Sequence, residues 1–276
     1  MSTLTAPPPR ARGTGPAGSG NPPADRHHLA RLGADLEPIT LAELAEGSDL
    51  QTRVDQKYLV PLSVLDVLVE TLGPDLRVLE IDGRRVFGYE SIYFDTPDLR
   101  LFRDHAQGRR IRHKVRTRLY ADSGLTMLEV KAKGGRGETV KHRLDWQRED
   151  LLRIHSGGRE FVGSHLAGRP QVEDLRPVLR SRYRRMTLVH AAGGLRITCD
   201  ADLEFEGPGD GTVVIPPGRV LLETKSEAGR SAADRLLRSC GQRDVLVSKY
   251  CAGVALTTGV RANRWHRTLR RYLTTP

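Results

Sequence analysis

Basic residues alternate with apolar ones along residues 111–119. The even positions are Arg112, Lys114, Arg116 and Arg118, and most of the odd positions are apolar. Because successive side chains of a β-strand point to opposite faces, this spacing predicts a strand with one cationic and one largely apolar face. A cationic face of this kind is suited to binding a phosphate-rich anion.

The same alternation recurs in several other segments. A solvated amphipathic sheet explains each segment on its own. Together they favour another arrangement, because like charges repel across neighbouring strands and a surface sheet usually mixes both signs. We therefore predict that the basic faces surround a common hollow whose occupant is a polyanion, since buried cations without a partner are costly. The charged positions are Glu129, Lys131 and Lys133; Lys141 and Arg143; Arg180, Arg182 and Arg184; Arg196 and Asp200; and Glu223 and Lys225.

Two acidic residues, Glu129 and Glu223, lie among these cations. Each is either a salt-bridge partner that orders a neighbouring Arg or Lys, or a hard oxygen ligand for Mg²⁺ or Mn²⁺. A divalent ion together with several cationic side chains supplies the charge neutralisation and alignment that phosphoryl transfer needs. The residues alone leave both interpretations open.

The composition is consistent with a polyanionic partner. The chain of 276 residues has 44 Lys and Arg against 34 Asp and Glu, a formal charge of +10. Its three cysteines form no CxxC pair, which argues against a disulfide scaffold or a zinc site and predicts a reducing, cytoplasmic location. We expect no secretory signal, no transmembrane helix and no specific nucleic-acid partner, because duplex DNA is too wide for a small barrel. P-loop, GxSxG and HExxH motifs are absent from the sequence.

The elements that must position these residues form one α+β domain. Residues 1–35 are rich in Pro and Gly and are predicted to be a disordered tail. Strand patterns dominate 76–226, and helical patterns follow Thr40, cover 62–72 and recur at 229–240 and 250–272. Strands of antiparallel type with helices at the ends predict a closed or nearly closed sheet over 36–260. The basic stretch 261–276 fits either a helix on an anionic membrane surface or a solvated terminal helix or tail.

Eight short motifs occur in an order that resembles the VTC domain. This is the polyphosphate polymerase domain of the vacuolar transporter chaperone complex, within the triphosphate tunnel metalloenzyme (CYTH-like) superfamily. Each motif is weak alone, and the resemblance depends on their order over residues 36–258. The motifs are RVDQKY at 53–58, SIYFDT at 91–96, VRTR at 115–118, LEVK at 128–131, SRYRR at 181–185, LRIT at 195–198, LETK at 222–225 and VSKY at 247–250.

The resemblance implies an antiparallel eight-stranded β-barrel tunnel with flanking helices, which binds ATP with Mn²⁺ or Mg²⁺. It implies transfer of the terminal phosphate to a growing polyphosphate chain. The absence of an ExExK motif in the first strand favours the polymerase branch over the triphosphatase or cyclase branches. The implied catalytic residues are Arg116, Arg118, Lys131, Arg182, Arg196 and Glu223, and the implied metal ligands are Glu223 and Glu129.

Further cations of the tunnel are predicted to bind substrate. Three of them, Arg53, Lys57 and Lys249, rest mainly on the resemblance, and the others also follow from the strand alternation. The predicted substrate-binding residues are Arg53, Lys57, Lys114, Lys133, Lys141, Arg184, Lys225 and Lys249.

Three functions remain open at this point. The first is a metal-dependent polyphosphate polymerase. The second is a tripolyphosphatase or nucleoside triphosphatase on the same fold, with water as the attacking group. The third is a non-catalytic module that binds polyphosphate or, on its outside, nucleic acid. The sequence does not predict the oligomeric state, the phosphate acceptor or the preferred metal.

Overall fold

The fold is known from a computed structural model of the chain. It describes residues 24–46, 54–133, 139–166, 170–209, 211–227, 229–262 and 264–270. Within these ranges, none of the helices combines the length and the apolar character needed to cross a bilayer.

A single sheet forms the centre of the fold. Its main path consists of eight antiparallel strands in the order β2-β11-β9-β8-β4-β5-β6-β7, and the short strands β1, β3 and β10 add to its sides. The strands are β1 (Glu37–Ile39), β2 (Val54–Pro61), β3 (Leu76–Leu79), β4 (Val86–Asp95), β5 (Arg112–Tyr120), β6 (Thr126–Lys133), β7 (Thr139–Trp146), β8 (Arg176–His190), β9 (Leu195–Glu206), β10 (Thr212–Val214) and β11 (Arg219–Ser226).

Helices cover the outer face of the sheet and the two ends of its inner face. They are α1 (Ala24–Ala34), α2 (Leu41–Glu46), α3 (Leu62–Leu72), α4 (Arg100–Ala106), α5 (Ser156–His165), α6 (Ala232–Ser239), α7 (Lys249–Thr258) and α8 (His266–Thr268), with 3₁₀ turns at Gly73–Asp75, Arg148–Asp150 and Val172–Asp174. The predicted capping box of α2 is confirmed, because Glu43 accepts hydrogen bonds from the backbone N–H and hydroxyl of Thr40.

The sheet curls so that its two edges approach each other. Lys131 on β6 lies within electrostatic reach of Lys57 and Glu223, although β2 and β11 stand at the opposite end of the strand order. In the described part of the chain no backbone pairing joins β7 to β2, so the curl is not hydrogen-bonded shut. The predicted α+β fold with an antiparallel eight-stranded tunnel and flanking helices is confirmed in this form of a curled sheet.

Apolar side chains divide between the two faces of the sheet. On the outer face, α1, α3 and α6 pack around Tyr58 and Leu222, and α5 packs over Leu128 and Val130. On the inner face, apolar packing lies towards two ends: α7 lies against β8 and β9 at one end, and Leu44 of α2 packs with Ile39, Leu79 and Val189 at the other. The part of the inner face between them carries mainly polar and charged side chains.

The N-terminal tail predicted over residues 1–35 is too long. Residues 24–34 form α1, in which Leu29 is fully buried in the core, and Asp25 accepts a hydrogen bond of 2.8 Å from the backbone N–H of Gly218. Leu29 and Leu32 of α1 pack against α3 and the outer face of the sheet. This apolar packing stabilises the helix although the surrounding sequence is mostly polar. Residues 1–23 lie outside the described residues.

The predicted helix over 250–272 is also wrong in its extent. It ends at Gly259, whose φ of 68° stops α7 in a left-handed conformation. The chain then turns back, and Trp265 and Leu269 are buried in the same apolar cluster as Phe102. Residues 261, 262 and 264–270 thus pack on the domain, and 271–276 lie outside the described residues.

Close packing of α7 against the inner face gives a test of this arrangement. A Cβ at Gly253 would lie 2.5 Å from Leu179 Cδ2 and 2.7 Å from Phe205 Cδ1, so we expect Gly253→Ala to lower the free energy of unfolding by about 1–3 kcal/mol through overpacking. Urea denaturation measures this change. Gly157→Ala is the matched control, because open space surrounds Gly157 in α5. Equal stability of the two variants would contradict the placement of α7.

Candidate functional site

Most of the predicted site residues share the inner face of the curled sheet. The strand registers place Lys57 opposite Glu223, Arg116 opposite Glu129, and Lys131 opposite Lys141. We call this surface the concave face. Its members from the predicted set are Lys57, Lys114, Arg116, Arg118, Glu129, Lys131, Lys133, Lys141, Arg196, Glu223 and Lys225 on strands and Lys249 at the start of α7.

Glu129 lies at the centre of one cluster of cations. Its Oε2 accepts from Arg116 at 2.6 Å, and its Oε1 accepts from Arg143 at 3.1 Å and contacts Lys141 at 3.8 Å. The Glu129 side chain is only 2% exposed. Burial alone would raise its pKa, but Arg116 and the neighbouring cations hold the pKa well below its usual value. Glu129 is therefore ionised and both of its oxygens are occupied.

Glu223 occupies the facing edge of the concave face. Lys225 donates to its Oε1 at 2.5 Å, and Lys57 contacts the same oxygen at 3.4 Å. Burial opposes the ionised form, but the charges of Lys57 and Lys225 lower the pKa of Glu223 well below its usual value. Both lysines contact Oε1, and among the described residues no hydrogen bond to Oε2 is found.

A third carboxylate, Asp200, holds two cations that belong to different elements. Arg185 on β8 donates to it through two nitrogens, at 2.6 and 2.8 Å, and Lys249 of α7 donates to Oδ2. Asp200 is 1% exposed, and Arg185 and Lys249 lower its pKa against the effect of burial. This carboxylate therefore fixes Arg185 and Lys249 side by side in the tunnel.

Three tyrosines form a floor beneath the guanidinium groups. Arg116 lies over the ring of Tyr93 at 5.8 Å, and Arg185 lies 5.1 Å from the ring centre of Tyr89 and 5.3 Å from that of Tyr183. The Tyr93 hydroxyl also accepts from Arg116 at 3.2 Å. Contacts between cations and aromatic faces restrict the side chains, so these groups are ordered before any ligand arrives.

Three lysines of the concave face have lowered pKa values. Burial and the charge of Lys114 lower the pKa of Lys131 to about 8. Burial, opposed by Glu129 and supported by Arg143, lowers the pKa of Lys141 to about 8. Burial likewise lowers the pKa of Lys114. An anion in the tunnel would stabilise the protonated form of all three lysines.

The predicted placement of Arg182 and Arg184 on the basic face is wrong. On β8, the residues facing the tunnel are Tyr183 and Arg185, whereas the even positions point to the outer face. There Arg182 contacts Glu204 at 2.8 Å and Glu206 at 3.4 Å. Arg180 shares this outer face and contacts Glu90 at 3.0 Å.

Both rows of β8 carry arginine, so alternation alone did not distinguish the inner row from the outer one. The neighbouring strand β9 distinguishes the two rows. Its Glu204 and Glu206 lie opposite Arg182 and Arg180, beyond a bulge next to Asp202. Sequence reasoning therefore missed Arg185. It also missed the role of Asp200, whose position on the face had been recognised.

Two further predicted residues stand apart from the central clusters. Arg53 lies outside the described residues. Arg196 shares the concave face by register with Lys225, but it donates to the carbonyl of Leu44 at 3.2 Å, at the end of the tunnel next to α2.

The two predicted metal ligands differ in their fit to a divalent ion. Mg²⁺ typically takes one or two carboxylates together with substrate phosphates. Glu223, which is 17% exposed and has one oxygen without a hydrogen bond among the described residues, fits this role. Glu129 does not fit, because cations occupy both of its oxygens. No group of three or more His, Cys, Asp or Glu side chains in the described part could hold a metal by itself.

A known protein family matches most of this chain. The family model described as VTC domain matches residues 52–258. No curated protein matches the chain.

Three solved structures have partly similar folds. A putative adenylate cyclase from Bacillus halodurans is 13% identical, with 71% of this chain and 94% of that chain covered and a TM-score of 0.48. A putative adenylyl cyclase from Hippeastrum with a dominant triphosphatase activity is 16% identical, with coverages of 75% and 97% and a TM-score of 0.48. An RNA triphosphatase from S. pombe is 11% identical, with coverages of 82% and 86% and a TM-score of 0.28.

The Glu129 cluster predicts a specific dependence of stability on pH. Since the folded-state pKa of Glu129 is lowered, its contribution is complete above about pH 4.5 and is lost as the pH falls below that value. We expect Glu129→Gln to lower the free energy of unfolding by about 2–3 kcal/mol at pH 7, because it leaves three cations without their carboxylate. The difference in the free energy of unfolding between Glu129→Gln and the unmodified protein should become smaller below pH 4.5.

Urea denaturation across this pH range checks the prediction. Glu204→Gln is the control, because its carboxylate pairs with Arg182 on the solvated outer face and should contribute about 1 kcal/mol or less. A Glu129→Gln protein as stable as the Glu204→Gln protein at pH 7 would refute the role assigned to Glu129.

Proposed function

The chain belongs to the VTC domain family, and we propose that it is a metal-dependent polyphosphate polymerase that transfers the γ-phosphoryl group of ATP to a polyphosphate chain. The concave face carries the proposal. It gathers Lys and Arg side chains from strands at both edges of the sheet around one hollow, with single carboxylates between them. A linear phosphate chain has the charge and the shape that such a hollow would accommodate.

The γ-phosphoryl group is held by Arg116, Arg118, Arg185 and Lys131. The tyrosine floor and the carboxylates Glu129 and Asp200 keep the arginines in place. Donors that are ordered before the reaction stabilise the charge on a transferring phosphoryl group without reorganisation during the step. Lys249 and Lys57 neutralise the neighbouring phosphates.

The acceptor is the terminal phosphate of the polyphosphate chain. One of its oxygens forms a bond to the γ-phosphorus while the bond from that phosphorus to the bridging oxygen of the β-phosphate breaks, and ADP leaves. The acceptor oxygen is already ionised, so the step needs no general base. This suits the site, because the surrounding cations hold Glu129, Asp200 and Glu223 at lowered pKa values that make them weak bases.

Glu223 is the residue of this site that would bind a Mn²⁺ or Mg²⁺ ion, through its Oε2. When bound, such an ion would neutralise phosphate charge and align the phosphate oxygens. Lys57 and Lys225 keep Glu223 ionised and oriented at the tunnel wall. We further propose a cytoplasmic location, since Cys199, Cys240 and Cys251 are free thiols.

The proposal is tested by incubating the purified protein with ATP and Mn²⁺ and measuring polyphosphate, ADP and inorganic phosphate. We expect long-chain polyphosphate together with ADP. Release of inorganic phosphate without polymer would instead identify a triphosphatase, and tight binding of polyphosphate without turnover would identify a binding module.

Arg185 and Arg182 provide a matched pair for the same assay. Arg185→Gln removes a donor from the concave face and should reduce turnover by about 100-fold. Arg182→Gln makes the same chemical change on the outer face and should leave turnover within about twofold of the unmodified protein. Similar losses in both variants would contradict the assignment of the γ-phosphate site.

The lowered lysine pKa values predict how binding depends on pH. Since Lys131 and Lys141 have pKa values of about 8 in the free protein, binding of tripolyphosphate should take up protons near that pH. The affinity should therefore fall as the pH rises above 8. Calorimetry in buffers of different ionisation enthalpy measures the uptake, and the double variant Lys131→Arg and Lys141→Arg should reduce it, because only Lys114 of the three lysines with lowered pKa values then remains. Unchanged uptake in that variant would refute the assignment to these lysines.

A further inference from the structure

Asp95 is a buried carboxylate that the proposed mechanism does not use. It ends β4 and has no exposed surface. Its Oδ1 accepts from the backbone N–H groups of Thr96 and Leu101, both at 2.8 Å, and its Oδ2 accepts from that of Phe102 at 2.9 Å. The hydroxyl of Tyr250 donates to the same Oδ2. One side chain therefore joins the end of β4 to α4 and to α7.

The surroundings of Asp95 differ from those of the tunnel carboxylates. Glu129 and Asp200 contact cations, whereas the groups that act most strongly on Asp95, apart from burial, are hydrogen-bond donors without charge. Burial raises the pKa of Asp95 against these bonds, and burial together with Asp95 raises the pKa of Tyr250 well above its usual value. Tyr250 therefore keeps its proton, and Asp95 serves to orient its hydroxyl.

Tyr250 lies in the first turn of α7, next to residues that reach into the tunnel. Ser248, the N-cap of this helix, accepts from Lys114 at 2.8 Å. Lys249 donates to the buried carboxylate of Asp200. Both Lys114 and Lys249 are therefore placed by the same helical turn.

The ring of Tyr250 reaches a second part of the tunnel. It stacks on the ring of Tyr93, with 5.1 Å between the ring centres and 27° between the ring planes. The hydroxyl of Tyr93 accepts from Arg116 at 3.2 Å, and Arg116 lies over the same ring. A shift of Tyr250 would therefore displace the aromatic floor under Arg116 as well as the first turn of α7.

We propose that Asp95 and Tyr250 are positioning residues for the phosphoryl-transfer site. Their hydrogen bond fixes the first turn of α7, and this turn sets the geometry of Lys114, Lys249 and Arg116. The inference rests on the proposed function only in taking the cations of the concave face as the groups that act on the phosphate. Loss of the bond changes the placement of these cations and leaves their number unchanged.

This difference separates the chemical step from ligand binding. Attraction of a polyanion depends on the summed charge around the hollow, whereas stabilisation of a transferring phosphoryl group depends on where each donor lies. A displacement of about 1 Å can reduce the rate of a chemical step by about 100-fold. Loss of the bond between Asp95 and Tyr250 should therefore lower kcat and leave KM nearly unchanged.

The test is Tyr250→Phe, which removes the hydroxyl and keeps the ring. We expect kcat for ADP formation from ATP in the presence of Mn²⁺ to fall about tenfold or more, while KM for ATP and the dissociation constant of tripolyphosphate stay within about twofold. Asp95→Asn removes the charge that holds the same hydroxyl and should show the same division; it replaces Tyr250→Phe if that variant does not fold. Thermal unfolding establishes that each assay is made on folded protein.

Tyr58→Phe is the matched control. Tyr58 is equally buried, and its hydroxyl donates to the carboxylate of Asp234 at 3.0 Å, but both residues lie on the outer side of the sheet, at α6. This variant should lose stability and keep kcat within about twofold of the unmodified protein. Equal kcat values for Tyr250→Phe and Tyr58→Phe, or a tripolyphosphate affinity that falls as far as kcat does, would overturn the proposal.

A second measurement, nuclear magnetic resonance of arginine side chains, does not depend on turnover. The Nε–H groups of Arg116 and Arg185 each donate at 2.6 Å to a tunnel carboxylate, which protects their hydrogens from exchange. Arg116 lies over Tyr93, and Arg185 shares its carboxylate with Lys249. Both groups therefore report on the first turn of α7.

We expect both arginine resonances to shift in Tyr250→Phe and to keep their positions in Tyr58→Phe. Unchanged resonances in Tyr250→Phe would overturn the inference. A protein that forms no ADP but shows these shifts would overturn the proposed polymerase activity and leave the positioning role of Asp95 and Tyr250 standing.

Discussion

Repulsion between like charges is the constraint around which this molecule is built. A curled sheet brings Lys and Arg side chains from opposite edges into one hollow, where low-dielectric walls strengthen their mutual repulsion. The fold tolerates them because Glu129, Asp200 and Glu223 are spaced among them, and each carboxylate contacts at least two cations. These three carboxylates thus stabilise the fold by neutralising the cations. Of the three, only Glu223 retains an oxygen suited to a metal ion.

The distribution of acids divides the cations into two groups with different properties. Arginines beside a carboxylate and above a tyrosine ring are fixed in position, as Arg116 and Arg185 are. The pKa of Lys131 is lowered by burial and by Lys114, against the charges of Glu223 and Asp55, so its protonation responds to a ligand. Fixed charges provide geometry for a transferring group, whereas responsive charges couple binding to protons. The concave face therefore contains both the fixed arginines and the lysines whose protonation responds to a ligand.

Much of this arrangement could be predicted from residue alternation. On β5 and β6 only one row of each strand is charged, so the inner face was assigned correctly from Arg116, Arg118, Glu129 and Lys131. On β8 both rows contain arginine, and choosing between them required the partners on β9, which only the three-dimensional register provides. The packing of α7 and Trp265 against the inner face was equally out of reach, because an apolar segment does not reveal which surface it covers. The sequence pattern largely predicted which segments form strands and helices. It left open which face of a strand or helix points into the tunnel.

The position of β11 in the sheet has a consequence for how the protein is made. This strand, which follows β2 at a long distance in the sequence, lies between β2 and β9 and provides the sheet partner of β2 within the described residues. During synthesis β2 therefore has no partner until residues 219–226 have left the ribosome. Pairings between such distant segments form slowly, and an unpaired strand edge is open to intermolecular association in the meantime. Nascent chains that stall before residue 219 should accordingly depend on chaperones.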